Sequence, residues 1–270
     1  MNNATLPTTN SLVLERNDSV LRIWFNRPEA RNALSAEMAD ELAAVLSAVR
    51  DDRSLRSIIV RGKGGIFCAG GDIKGFKSSM QGSMDHGEVA ASNRAFGDLM
   101  LAANQQPQVM IMLVEGAAIG GGLGLACVGD VTITTADAQF RLSETSLGIP
   151  PAQIAPFVTE RVGLTQARRL MLTGARFTGV DAQQYGIAHL LVADDTELEA
   201  RCEEVLQQIS RCAPGANAAT KRIIFEALAQ PRAAALDFAS QRFADCMLSD
   251  EGREGVAAFV EKRRANWAED

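Results

Sequence analysis

Two glycine-rich segments constrain this chain more than any other feature of its sequence. They are residues 65–74, with the sequence GIFCAGGDIK, and residues 115–125, with the sequence EGAAIGGGLGL. Each follows a short apolar run, at 57–60 and at 109–114, so we expect two turns that leave buried strands. Glycine lets the backbone approach a ligand closely, and a helix N-terminus presents unpaired N–H groups. Two such groups aimed at one point would form an oxyanion hole, unless the glycines serve only tight turns and packing.

The pattern along the chain alternates strands with helices. Strands are predicted at 12–15, 20–25, 57–60, 109–114 and 131–134, and Ser35 is a good N-cap for a helix running to about Arg50. Residues 75–90 are polar without clear periodicity and are interpreted as a mobile loop. Helical patterns follow at 197–211, 216–229, 232–247 and 251–265. We therefore expect an α/β core over residues 1–200 and a C-terminal helical oligomerisation region over 201–270.

Composition excludes several classes of function. The formal charge is −6 and the pI is about 5.1, which argues against nucleic acid and anionic membranes as partners. The first ten residues have no basic leader or apolar h-region, and no apolar run approaches the roughly 20 residues of a membrane helix. The five cysteines form no CxxC pair, and His86 and His189 lie in no metal or triad pattern. We expect reduced thiols, a cytoplasmic location and no metal.

Neither glycine segment fits a nucleotide-binding motif. The first strand is not followed by GxGxxG, and no GKS or GKT is present.

Five segments, in order, resemble the crotonase (enoyl-CoA hydratase/isomerase) superfamily. They are NRPEARNAL, FCAGGDIK, EGAAIGGGLGLA, FRLSETSLGIPP and EGVAAFVEKRRANW, and the resemblance covers about residues 12–268. It implies a spiral of ββα turns with a C-terminal helical region, assembled as a homotrimer or hexamer. It also implies an acyl-CoA substrate, with coenzyme A as part of that substrate and no separate cofactor.

The resemblance also assigns roles by position. The peptide N–H groups of Gly71 and Gly121 would bind the thioester oxygen. The backbone at Ala69, Gly71, Asp72 and Ile73 would hold the adenine and the pantetheine arm. Arg31 and Lys74 would line the coenzyme A entrance, and Lys262 would reach the phosphates bound by a neighbouring subunit. Cations near phosphates are physically reasonable, although Arg31 and Lys74 could equally be solvated surface charges.

The chain departs from the family pattern at one catalytic position. Hydratases of the family usually carry two glutamates; here the first position is Gly124 and the second is Glu144, on a strand-like stretch. Glu144 is the expected acid/base group. A hydratase that works with Glu144, a Δ3,Δ2-enoyl-CoA isomerase that uses Glu144 alone, and a catalytically weak acyl-CoA-binding protein all stay open.

The segment after Glu144 favours a particular substrate. Residues 148–158, with the sequence GIPPAQIAPFV, resemble the bacterial branch that acts on 3-methylglutaconyl-CoA and isohexenylglutaconyl-CoA. We therefore expect a hydratase for a branched, carboxylated enoyl-CoA, preferably isohexenylglutaconyl-CoA from acyclic terpene degradation. Gly124 would spare the substrate carboxylate from repulsion and leave room for a β-branch. Arg141 and Gln153 are only weak candidates for binding that carboxylate.

Overall fold

The computed structural model describes residues 5–72 and 85–268. Its main sheet has six strands in the order β1-β2-β3-β4-β6-β9, and a small second sheet has the order β5-β7-β8. In the main sheet only the β1–β2 pair is antiparallel. The strands are β1 Leu12–Asn17, β2 Val20–Phe25, β3 Ser57–Gly62, β4 Val109–Val114, β5 Ala117–Ile119, β6 Val131–Thr135, β7 Gln139–Arg141, β8 Arg176–Thr178 and β9 Leu190–Val192.

Nine α-helices occur among the described residues. They are α1 Ala36–Val49, α2 His86–Asn104, α3 Gly121–Val128, α4 Ala155–Thr173, α5 Gly179–Gln184, α6 Asp195–Ser210, α7 Pro214–Ala229, α8 Arg232–Met247 and α9 Asp250–Glu261. The prediction of an α/β fold with a C-terminal helical region is confirmed. Ser35 caps α1 as expected, because its side chain accepts a hydrogen bond from the Met38 N–H.

The predicted loop at 75–90 is wrong for its last residues. Helix α2 begins at His86, and a capping box joins Asp85 and Glu88 at its N-terminus. The first half of α2 is exposed on nearly all sides, so no apolar stripe marks it in the sequence. The predicted site residues Ile73 and Lys74 lie outside the described residues.

The main sheet is covered on both faces, as parallel sheets require. One face carries the larger core, where Ile23, Phe25 and Val60 pack with residues from α1, α2 and α3. The other face carries a smaller core, where Ile59 and Ile111 pack with residues of α6. The predicted boundary at residue 200 therefore falls within α6, a helix that packs on the sheet.

The last three helices expose apolar side chains. Leu228, Phe243 and Phe259 are 67%, 69% and 85% exposed. Such a concentration of exposed apolar surface is typical of a surface that binds another protein. Within the described parts of the chain, no helix has the length and apolar character needed to cross a bilayer.

Candidate active site

The two glycine-rich segments lie side by side. Residue Cys68 forms a parallel bridge with Ala118 of β5: the Cys68 N–H donates to the Ala117 carbonyl, and the Ile119 N–H donates to the Cys68 carbonyl. Three residues on, Gly71 forms a parallel bridge with Leu34. The first segment thus runs as a short extended stretch between β5 and the residues before α1.

The hydrogen bonds around Gly71 turn its own N–H away from Leu34. The Leu34 N–H donates to the Gly70 carbonyl at 2.8 Å, and the Asp72 N–H donates to the Leu34 carbonyl at 2.9 Å. In a parallel bridge these two bonds flank the paired residue, whose own N–H points to the opposite side. Hydrogen bonds between described residues provide no acceptor for the Gly71 N–H.

Gly121 supplies the second candidate N–H group. It is the first residue of α3, where backbone N–H groups have no partner within the helix. The preceding N–H, of Gly120, donates to the Arg141 carbonyl at 2.8 Å. A Cβ atom on Gly121 would lie 3.0 Å from Leu34 Cδ1, so Leu34 adjoins both Gly71 and Gly121. The structure thus brings the two predicted donors to one neighbourhood, and their role in binding an oxyanion stays a prediction.

Glu144 lies beside the start of α3. It is the first residue of a 3-10 helix, Glu144–Leu147, and so is not on a strand as the sequence suggested; β7 ends three residues earlier. The 3-10 helix ends at Gly148, which has a left-handed backbone conformation with φ of 77° that glycine adopts readily. A Cβ atom on Gly120 would lie only 2.7 Å from Glu144 Oε1, which places the carboxylate against the turn before Gly121.

The Glu144 carboxyl is less well solvated than an exposed glutamate. Its Oε2 atom is buried and has no hydrogen-bond partner among the described residues. Burial raises the pKa of the Glu144 carboxyl above its usual range, because desolvation outweighs the hydrogen bonds from the nearby backbone. An acid/base group needs a pKa closer to neutrality than that of a solvated glutamate, so the shift suits proton transfer.

Two contacts anchor the turn that carries Glu144 to the end of α4. The Arg141 Nε donates to the Gly174 carbonyl at 2.9 Å, and the Thr145 hydroxyl donates to the Met171 carbonyl at 3.0 Å. These carbonyls belong to the unpaired C-terminal end of the helix. Arg141 is therefore engaged in holding this turn, which weakens it as a candidate for binding a substrate carboxylate.

Gly124 lies in the second turn of α3 and is buried. The space toward which its side chain would point is already filled: a Cβ there would overlap Ile154 Cγ2, and would lie 2.9 Å from Ile154 Cβ and 3.3 Å from Met100 Cε. The expectation that Gly124 leaves room for a substrate branch is wrong, because the Ile154 side chain occupies that room. The absence of a carboxylate at position 124 remains a feature of the site.

The predicted coenzyme A entrance is partly assembled. The Ala69 N–H donates to the Arg31 carbonyl at 3.1 Å, so the two segments touch through their backbones. The side chain of Arg31 is exposed, and Asp72 accepts a hydrogen bond from Arg27 at 3.1 Å. The predicted roles of Arg31, Ala69 and Asp72 in binding coenzyme A stay predictions.

Lys262 lies elsewhere in the chain. It ends α9 with a left-handed backbone, and the segment after it returns to the main sheet, where the Trp267 carbonyl accepts a hydrogen bond from Arg56. Arg56 precedes β3, whereas Gly71 and Gly121 lie beyond the opposite, carboxyl ends of the strands. Lys262 is thus not brought to the Gly71–Gly121 site within one copy of the chain.

A separate cavity of about 440 Å³ lies on the opposite face of the main sheet. Trp24, Arg61 and Glu115 line it, and Arg61 is paired with Glu115 at 2.8 Å. Its charged groups are neutralised by one another. It borders the first residue of each glycine-rich segment, Gly65 and Glu115, but Gly71, Gly121 and Glu144 do not line it. We therefore place the candidate active site at Gly71, Gly121 and Glu144. The described residues contain no cluster of His, Cys, Asp or Glu side chains that could hold a metal ion.

Sequence reasoning missed three contributors to this site. Phe96 and Met100 of α2 face the first turns of α3, and Ile154 lies between the two helices. The Asp85–Glu88 capping pattern was the available signal for α2. The sequence singles out the segment 148–158, which contains Ile154, but the contact of Ile154 with Gly124 could not be predicted because it joins residues thirty positions apart.

Comparison with known proteins gives consistent results. The family model described as enoyl-CoA hydratase/isomerase matches residues 15–270. The enoyl-CoA hydratase EchA19 of Mycobacterium tuberculosis is 32% identical over 266 residues, which cover 98% of each protein.

Solved structures are more similar still. AtuE of Pseudomonas aeruginosa is 53% identical, with a TM-score of 0.94 over 96% of this chain and 100% of that one. An enoyl-CoA hydratase/isomerase from Marinobacter aquaeolei is 42% identical, with a TM-score of 0.93 over 96% of this chain and 99% of that one.

Proposed function

The chain belongs to the enoyl-CoA hydratase/isomerase family, and from that premise we propose that it hydrates a branched, carboxylated enoyl-CoA of the glutaconyl type, preferably isohexenylglutaconyl-CoA in acyclic terpene degradation. The observation that carries the proposal is the position of a single half-buried carboxylate, Glu144, against the turn that begins α3. Members of this family act on enoyl-CoA esters, and the proposed substrate is one of these esters.

The proposed chemistry needs two functions from the protein. The N–H groups of Gly71 and Gly121 would donate to the thioester oxygen and stabilise the enolate that forms when a nucleophile adds at C3. The Glu144 carboxylate would take a proton from water as the water oxygen bonds to C3. The same proton, now on Glu144, would then be delivered to C2, so that one water molecule adds across the double bond and the carboxylate is regenerated.

Charge supports a carboxylated substrate. Like charges close together in a water-poor site repel strongly, so a second enzyme carboxylate would disfavour a glutaconyl ester. The position where family hydratases carry that carboxylate is Gly124, whose neighbours Ile154 and Met100 are apolar. The resemblance of residues 148–158 to the glutaconyl-CoA branch of the family is the second support.

A Δ3,Δ2-enoyl-CoA isomerase is the second candidate. It is favoured by the same lone carboxylate, because one group can remove a proton from C2 of a 3-enoyl ester and return it to C4 without any water.

We also propose that the protein acts in the cytoplasm as a homotrimer or hexamer. The exposed apolar side chains of α7, α8 and α9 support association, and Lys262 would then meet coenzyme A bound to a neighbouring subunit. Measuring the mass of the protein in solution by light scattering tests the assembly, and a monomer at working concentration would contradict it.

A steady-state screen of the wild-type protein tests the function. The substrates are crotonyl-CoA, 3-methylglutaconyl-CoA, isohexenylglutaconyl-CoA and a 3-enoyl-CoA. We expect the highest kcat/KM for hydration of isohexenylglutaconyl-CoA. A preference for 3-methylglutaconyl-CoA would show that this ester is the substrate instead. A preference for the 3-enoyl ester would show that the protein is an isomerase. Binding without turnover would indicate an acyl-CoA-binding protein.

A further inference from the structure

Residues Gln153 and Ile154 pack between helices α2 and α3, and the side chain of each lies against a glycine of one of these helices. The Gln153 amide lies against Gly97 of α2, where a Cβ atom would overlap its Oε1, and its Nε2 donates to Asn93 Oδ1 at 2.9 Å. The Ile154 side chain lies against Gly124 of α3 in the same way. Both helices thus have a glycine, without a side chain, at the position that contacts Gln153 or Ile154.

The α2 side chains that lie beside Gly121 and Gly124 are apolar. On α2, Phe96 and Met100 are four residues apart and so share a face. A Cβ atom on Gly121 would lie 3.2 Å from Phe96 Cζ, and one on Gly124 would lie 3.3 Å from Met100 Cε. Ile154 closes the gap between these helices and is only 3% exposed.

The Ile154 side chain lies close to the predicted position of the thioester carbonyl. Gly121 and Gly124 are three residues apart on one helix, which corresponds to a rise of about 4.5 Å. The C3 atom of an enoyl ester is two bonds from the carbonyl carbon, so a substituent on C3 is within reach of the wall that Ile154 forms. Close-packed walls of this kind do not yield readily to extra atoms.

We propose that Ile154 is a specificity-determining residue, which limits the size of the C3 group that faces α3. In the proposed substrate C3 carries two groups, and the longer one would lie away from this wall. The proposal rests on the proposed enoyl-CoA site, but it does not require that the substrate carry a free carboxylate. The position of this wall depends on two residues together, because the Ile154 side chain fits only when residue 124 is glycine.

The test measures selectivity within a series of 2-enoyl-CoA esters that differ only in the C3 substituent. In Ile154→Ala, the ratio of kcat/KM for a large substituent to that for a methyl group should rise at least tenfold, because each methylene in a packed pocket changes discrimination by about 10- to 200-fold. Ile154→Val, which removes a single methyl group, should give a smaller change in the same direction. It also provides the measurement if Ile154→Ala does not fold.

Ile187→Ala is the matched control. Ile187 is fully buried in the same core, and it is not among the atoms nearest to a Cβ atom placed on Gly121 or Gly124. The substitution should lower the melting temperature through the cavity it leaves while keeping the selectivity ratio of the wild type. Equal changes of the ratio in Ile154→Ala and Ile187→Ala, or no change in the Ile154 variants, would overturn the proposal.

Failure of this inference can be separated from failure of the proposed function. If the wild type hydrates the series but does not prefer glutaconyl esters, the substrate proposal fails and the Ile154 ratios still decide the role of the wall. If glutaconyl esters are preferred and the ratio is unchanged in both Ile154 variants, only the Ile154 proposal fails.

Discussion

A Cβ atom on Gly120 would lie 2.7 Å from Glu144 Oε1 and 3.4 Å from its Cδ. Gly120 has φ of 51° and ψ of −119°, and it directly precedes the residue that supplies a candidate oxyanion donor. The turn that starts α3 therefore also makes the space for the acid/base carboxylate. One glycine thus couples the geometry of the two functional groups.

Substitution of Gly120 by Ala should displace the Glu144 carboxylate. We expect kcat to fall by about 100-fold or more, since a shift of roughly 1 Å in a catalytic group can cost that factor. Steady-state kinetics on the preferred ester, with a thermal melt to show that the variant is folded, provide the measurement.

Gly163→Ala is the control for backbone strain. Gly163 has φ of 75°, and a Cβ atom there would have nothing within 4 Å. Like Gly120, Gly163 has a backbone conformation that residues other than glycine rarely adopt, so Gly163→Ala should lose about 1–3 kcal/mol of stability and keep wild-type kcat. If both variants lose activity to the same extent, the contact with Glu144 is not the cause.

Glu144→Gln should keep the fold and the binding of coenzyme A esters. We expect kcat to fall by about 10²- to 10⁴-fold, the usual contribution of a general acid/base group. Near-normal turnover in this variant would exclude Glu144 from the reaction, and Asp72 would become the next candidate.

Glu144 should also make stability depend on pH. Burial raises the pKa of its carboxyl in the folded protein, so between the unfolded and folded pKa values the folded state binds more protons than the unfolded state. The contribution of this group to stability is therefore fully present below the unfolded pKa and is lost as the pH rises through the folded pKa.

Denaturant titrations of the wild type and Glu144→Gln at several pH values check this dependence. The variant should gain stability relative to the wild type as the pH rises through that window and keep the gain at neutral pH. A difference that is constant with pH, or a gain that grows toward acid, would show that the carboxyl is not destabilised by burial.

Lys262→Ala should raise KM for coenzyme A esters more than it lowers kcat. A phosphate contact contributes equally to binding of the substrate and of the transition state, so its loss appears mainly in KM. The discriminating comparison uses a pantetheine ester, which lacks the nucleotide phosphates and should be unaffected. Equal effects on both esters would assign Lys262 a structural role.

The sequence alone determined the α/β class, the strands β1 to β4 and β6, the cap of α1 and the two glycine-rich turns, and its resemblance to a known family singled out Gly71, Gly121 and Glu144. These features are local: an apolar run, a capping serine or a glycine segment carries its signal within a few neighbouring residues. The family resemblance added the roles, since the segments that carry it are equally short.

Only the tertiary structure decided how these residues meet. Helix α2 is so exposed along its first half that its sequence has the polar pattern of a loop. Glu144 begins a 3-10 helix that ends at Gly148, and not a strand. The contacts of Glu144 with Gly120 and of Ile154 with Gly124 join residues 24 and 30 positions apart in the chain. Such pairs are set by the packing of whole helices, and the space beside a glycine can be known only when the neighbour that fills it is in place.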